Sequence, residues 1–135
     1  MATFLVKTEP STYSFADLKR DKKTTWDGVS NPAALKNMSA IEKGDIIVVY
    51  HTGDEKSAVG LAQAASNAYA DPKMNNPKRL VFDIVAERLL AAPVTLAQVK
   101  ADALLKTSDL ARLPRLSVMP LSDAQFARLL KLAGD

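Results

Sequence analysis

Two short polar runs at the ends of apolar segments carry most of the reactive chemistry in this 135-residue chain: Lys7-Thr8-Glu9 after residues 4–6, and Tyr50-His51 after residues 46–49. If those segments are neighbouring strands, one mouth collects an amine, a hydroxyl, a carboxylate, a phenol and an imidazole. A few convergent polar groups on an apolar wall is the composition of a small-molecule or base pocket. Trp26, the one tryptophan, sits in TTWDGVSN, with Asp-Gly turn chemistry directly after the ring and an Asn31-Pro32 helix start beyond it. A ring on such a turn can be offered to a pocket, or it can close the helix against the sheet as a core residue. Taken singly, Lys7 and Glu9 also fit solvated strand ends, and His51 a loop cap.

Catalysis by the same residues is incomplete. Thr8 could act as a nucleophile if burial deprotonated Lys7, with Glu9 orienting or shuttling protons. Adjacent strand residues point to opposite faces, however, so Lys7 and Thr8 would meet only through a bulge. No phosphate-binding loop, dinucleotide fingerprint, G-x-S-x-G elbow or metal-ligand spacing occurs. Absence of cysteine removes disulfides, thiolate clusters and a cysteine nucleophile, and suits a reducing compartment. With His51 as the single histidine, a zinc site would rest on one imidazole plus carboxylates, and a serine triad would have to centre on that residue. The residues favour binding over catalysis, with no cofactor and no metal.

Basic residues form two runs, Lys19, Arg20, Lys22 and Lys23, then Lys73, Lys78 and Arg79. They could neutralise phosphates if they share a surface with the pocket, or be solvated faces if they do not. The net charge of +3 is compatible with nucleic acid without requiring it.

Several elements must position these groups. Residues 3–8 alternate as a strand closed by Pro10. Ser14 and Asp17 form a capping-box pattern for a short helix through Leu18 and Lys19, and Asn31 with Pro32 starts a second helix whose buried face includes Leu35 and Met38. Gly44-Asp45 launches residues 46–50, a nearly continuous apolar run expected to be the central strand. Residues 58–65 predict another strand, although their alanine content leaves helix open. Residues 71–79 predict a loop and 80–85 a strand. Thr95 with Gln98 predicts a helix to about Leu105, Arg115 to Met119 a short strand stopped by Pro120, and Ser122 with Gln125 a terminal helix through Leu132.

The length suits one domain, 1–135, and no linker or repeat divides it. The N-terminal MATFLVKTEP lacks a basic region before its apolar run, so it reads as a strand and not as a leader. No apolar stretch approaches the roughly 20 residues needed to span a bilayer. A cytoplasmic protein, monomeric by default, is the expectation.

Taken together, KTEP at 7–10, WDGVSNPAALKNM at 26–38, KGD at 43–45, VVYHTGDE at 48–55, VGLA at 59–62, AYADP at 68–72 and RLSVMPL at 115–121 resemble the EVE domain family. The landmarks fall in family order along nearly the whole chain. The resemblance implies an α+β, PUA-like fold, a bent mixed sheet or open β-barrel with flanking helices, related to YTH and ASCH domains. It also implies a non-enzymatic nucleic-acid-binding module that reads a modified base, modified cytosine such as 5-methylcytosine in DNA more than RNA, with association to the nucleoid where DNA is the ligand.

A base flipped from a duplex is stacked on aromatic faces and checked along its edge by hydrogen bonds. In that reading Trp26 and Tyr50 supply faces, while Lys7, Thr8, Glu9, Asn31, His51 and Ser117 supply donors and acceptors. Lys22, Lys23, Lys78 and Arg79 contact phosphates. Where many relatives carry arginine this chain has Ser30, and where they carry tryptophan after NPK it has Arg79, which can itself stack on a base. The competing class is a small ASCH-like amidohydrolase acting on a modified nucleoside. It requires Thr8 within hydrogen-bond reach of a lysine amine and a carboxylate. A purely structural or protein-interaction domain would instead bury Trp26 with no cavity beside it.

Overall fold

The computed structural model describes residues 1–135. In chain order the strands are β1 (Thr3–Thr8), β2 (Lys23–Trp26), β3 (Ile46–His51), β4 (Ser57–Ala64), β5 (Tyr69–Ala70), β6 (Leu80–Thr95) and β7 (Val118–Leu121). The helices are α1 (Phe15–Asp21), α2 (Pro32–Met38), α3 (Leu96–Ala101), α4 (Asp109–Arg112) and α5 (Asp123–Ala133), with a single 3₁₀ turn at Leu105–Thr107. The strands make one open mixed sheet in the order β2-β6-β4-β3-β1-β7, with β5 added to β6. The α+β class with an open mixed sheet and flanking helices agrees with the sequence expectation.

The apolar run at 46–50, which His51 extends to complete β3, sits inside the sheet, parallel to β1 and antiparallel to β4. Both faces of β3 are covered, and residues 47–51 are all buried. In the β1–β3 register, Lys7 lies beside Tyr50 and Thr8 beside His51, so the two polar strand ends are indeed neighbours. One cluster of 32 buried residues forms the core and includes Trp26 and Tyr50.

Three helix starts follow the local chemistry of their caps. Ser14 and Asp17, Thr95 and Gln98, and Ser122 and Gln125 each complete a reciprocal capping box. The Asn31 side chain accepts from the Ala33 and Ala34 amides, at 2.9 and 3.1 Å, at the head of α2. Asn37 Nδ2 donates to the Val118 carbonyl at 2.8 Å, which ties α2 to β7. Leu35 is half-buried there and Met38 fully buried.

The strand expected at 58–65 is present as Ser57–Ala64, and the helix left open there does not form because the segment pairs on both sides, with β3 and β6. Three expectations need correction. The strand expected at 80–85 continues to Thr95, since β4 gives its second half a partner that local propensity does not reveal. The helix expected from Thr95 to Leu105 ends at Ala101 and is followed by the 3₁₀ turn and α4. The strand expected at 115–119 occupies 118–121, and Pro120 lies within it. Its missing N–H is tolerated because β7 is an edge strand with β1 as its only partner. β2 was not expected at all. No helix is long and apolar enough to cross a membrane.

Candidate nucleic-acid interface

β1, β2, the loops that follow each of them, and Ser117 just before β7 enclose a cleft of about 560 Å³. That is within the roughly 300–1,000 Å³ range of small-molecule sites. Its aromatic wall is Trp26 with Tyr13, whose ring centroids are 6.4 Å apart at 81°, an edge-to-face pair. Trp26 is only 7% exposed and belongs to the core, yet what remains exposed faces the cleft. The Tyr13 hydroxyl donates to Asp21 Oδ2 at 2.8 Å. Burial, and after it this bond, holds the Tyr13 phenol above its ordinary range.

The remaining walls are rich in hydroxyls. Thr8, Thr12, Thr24, Thr25, Ser30 and Ser117 line them, with the Asp27–Gly28–Val29 turn between β2 and α2. Gly28 has φ +77°, a left-handed conformation that lets the chain reverse directly behind the tryptophan. Asn31 also lines the cleft. Its carbonyl oxygen is used by the cap of α2, which leaves the amide nitrogen for a ligand.

Lys7 is the cation of the cleft. Its Nζ donates to the Pro114 carbonyl at 3.0 Å and lies 5.6 Å from the Tyr50 ring centroid, a cation–π geometry. Burial pulls the amine below the ordinary lysine value. The ammonium form is therefore disfavoured on folding, a penalty present at neutral pH and relieved as pH rises through the lowered value to the unfolded one. Lys7→Met is expected to leave the chain at least as stable as the parent in urea unfolding at pH 7. The difference should shrink as the pH approaches that of a free lysine.

The structure brings Lys7, Thr8, Trp26, Asn31 and Ser117 to one cleft. Tyr50, His51 and Glu9 are not on its walls. Tyr50 is 3% exposed and lies beneath Lys7, and burial raises its phenol. His51 is a support for α1: Nε2 accepts the Phe15 amide at 3.0 Å and Nδ1 lies 3.0 Å from Glu55 Oε1. A ring accepting at Nε2 carries its proton on Nδ1 and so donates to Glu55. Glu9 accepts from Ser11 and from the Thr52 hydroxyl, pinning its own loop.

Lys7 and Thr8 line the same cleft although strand alternation predicts opposite faces, because Thr8 is the last residue of β1 and the chain turns there. They still form no catalytic set. The Thr8 hydroxyl donates to the Tyr13 carbonyl at 2.7 Å, the Lys7 amine to Pro114, and the Glu9 carboxylate serves Ser11 and Thr52.

Of the basic residues, Arg79 and Lys73 line a second cavity of about 270 Å³ that shares the Asp27–Gly28–Val29 turn with the cleft. Lys22 and Lys23 are exposed where α1 passes into β2, and Lys78 is exposed beside Arg79. Tyr13 is the residue that sequence reasoning missed. The available signal was its place directly before the Ser14 cap, where an apolar or aromatic side chain commonly braces a helix entry. Thr24 and Thr25 were missed together with the strand that carries them.

The EVE domain family model matches residues 2–132. Among curated proteins, human thymocyte nuclear protein 1 is 28% identical over 163 residues, covering 96% of this chain and 72% of that protein. A Rhodopseudomonas palustris protein solved by NMR is 36% identical with a TM-score of 0.94, over 99% of this chain and 94% of its own. Human THYN1, solved in complex with 5-methylcytosine-containing DNA, is 27% identical with a TM-score of 0.91, over 100% and 99% of the two chains. An ASCH protein from Zymomonas mobilis shares the fold alone, at 12% identity and a TM-score of 0.60 over 97% and 95%.

Proposed function

Because the chain belongs to the EVE domain family, we propose that residues 1–135 act as one non-enzymatic module that binds nucleic acid and takes a modified base, a modified cytosine of DNA above all, into the cleft beside Trp26. The observation that carries this reading is the pairing of an edge-to-face Trp26–Tyr13 wall with a desolvated cation and a ring of hydroxyls and amides in one cavity. An extruded base needs an aromatic surface and donors along its edge. Trp26 and Tyr13 supply the surface, the Lys7 ammonium and the Asn31 amide nitrogen supply donors to base carbonyl and ring-nitrogen acceptors, and Ser30 and Ser117 adapt as donor or acceptor. Lys22, Lys23, Lys78 and Arg79 attract the backbone. Human THYN1 has been solved with 5-methylcytosine DNA, which supports the same ligand class here.

The amidohydrolase reading loses support from the separate commitments of Lys7, Thr8 and Glu9. A cytoplasmic location, at the nucleoid when the ligand is DNA, goes with the reader function.

A methyl group read as apolar volume contributes about 0.8 kcal/mol, roughly a fourfold preference. The test uses the single tryptophan: titrate with short oligonucleotides carrying cytosine, 5-methylcytosine or 5-hydroxymethylcytosine at fixed low salt and follow Trp26 emission. Modification-dependent quenching, tightest for one modified base by a few-fold, is expected. A flat signal with every oligonucleotide would overturn the reading and direct attention to deacylation of modified nucleosides.

A further inference from the structure

We propose that the cleft is the middle of a longer track, and that the nucleic-acid strand whose base enters it is held by Arg79 on one side and Arg115 on the other. This rests on the reader function proposed above and assigns the path of the flanking backbone.

Three cavities are joined by shared walls. The central cleft shares the Asp27–Gly28–Val29 turn with the cavity that holds Arg79 and Lys73. It also shares Asn31 with a third, open cavity of about 350 Å³ formed with residues 113–116, including Arg115. Pro114 in that loop accepts the Lys7 ammonium, so the third cavity and the cleft are also tied through the cleft's own cation.

The arginines sort by what they do. Of six in the chain, Arg20 is paired with Asp17 and Asp21, Arg88 with Asp135 and Arg128 with Asp102. Arg79, Arg112 and Arg115 have no carboxylate partner. Two of these three line the cavities that abut the cleft, Arg79 beside β2 and the start of β6 and Arg115 in the loop leading to β7, elements at opposite ends of the strand order. Asp71 shares the Arg79 cavity, but its Oδ1 is engaged by the Lys73 amide of its own loop.

A free nucleobase or nucleoside would need neither guanidinium. A base drawn from a strand stays linked to a phosphate on each side, and those phosphates must emerge at opposite edges of the pocket. One unpaired guanidinium at each edge matches that demand, and its planar fork suits phosphate oxygens.

Fluorescence anisotropy with short single-stranded DNA, carrying either cytosine or 5-methylcytosine at its centre, tests the track across a range of salt. R79Q and R115Q are each expected to weaken both oligonucleotides several-fold and by the same factor. Each should also reduce the slope of log affinity against log salt by about 0.7, the value for one phosphate contact on a single strand. R112Q, on α4 and outside all three cavities, should change neither. An unchanged affinity and slope in R115Q would overturn the two-sided track, as would a loss in R112Q equal to that in R115Q. Binding that lacks any preference for the methylated base but still weakens in R79Q and R115Q would uphold the track and sink the modified-base reading. Failure of the parent protein to bind either oligonucleotide would sink both.

Discussion

Trp26→Ala is expected to lower stability by about 3–5 kcal/mol, the range for truncating a buried large aromatic. Trp26 is 7% exposed, pairs with Phe82 across the β2–β6 ladder and meets the edge of Tyr13. Truncation would open a void at the end of an edge strand and remove the brace behind the cleft. Since domains of this size hold only about 5–15 kcal/mol in total, much of the population could unfold, and loss of nucleic-acid binding in that variant would say little about stacking. Trp26→Phe keeps most of the apolar volume and a π face. It should stay folded while weakening binding of labelled oligonucleotides. Urea unfolding followed by circular dichroism separates the two variants. A Trp26→Ala chain as stable as the parent would contradict the packing described here.

The second large effect is expected at Gly60. A Cβ there would lie 2.6 to 2.7 Å from three atoms of the Phe15 ring, closer than any carbon side chain can approach. Phe15 cannot easily retreat, because it is 1% exposed and its amide is held by His51 Nε2. Gly60→Ala should therefore cost about 1–3 kcal/mol as overpacking. The strain would fall on α1, and with it on Tyr13 two residues before Phe15, so the Trp26 emission of the folded variant should shift as well. Replacing Phe15 by Leu in the same chain should recover part of the loss, whereas Phe15→Leu alone should destabilise. Additive losses in the double variant would refute the contact.

Local chemistry was the most legible part of the fold. Each capping pair, Ser14 with Asp17, Thr95 with Gln98 and Ser122 with Gln125, acts within one helical turn and needs no distant partner, so its residues suffice to locate the helix start. Residues 46–50 were equally plain, because a strand covered on both faces is apolar nearly throughout. The segments that went unread depend on partners far away in the chain. Lys23–Trp26 is polar but for its tryptophan and becomes a strand only by pairing with β6, and residues 86–95 combine Glu, Arg, Leu and Ala in a pattern that suits helix as well as strand.

The candidate site divides along the same line. Proximity of the ends of β1 and β3 could be anticipated, but which side chains face the cleft could not. Tyr50 and His51 turn into the core, where an amine and a helix amide sit against them. Tyr13 takes the aromatic place, from a loop whose course depends on the docking of α1 over Gly60.

The placement of β1 bears on how the chain is made. β1 lies between β3 and β7, and Thr3 pairs with Ile46 on one side and Leu121 on the other. β1 thus waits for β7, which closes its second edge only after more than a hundred residues have followed. Such distant closure is slow compared with forming local helices. During synthesis the apolar β1 and β3 would present an unpaired ladder to other nascent chains, the condition that invites edge-to-edge association. Val118–Leu121, four residues long, is thus the segment whose arrival ends the period of exposure, and truncation just before it should yield a product that aggregates.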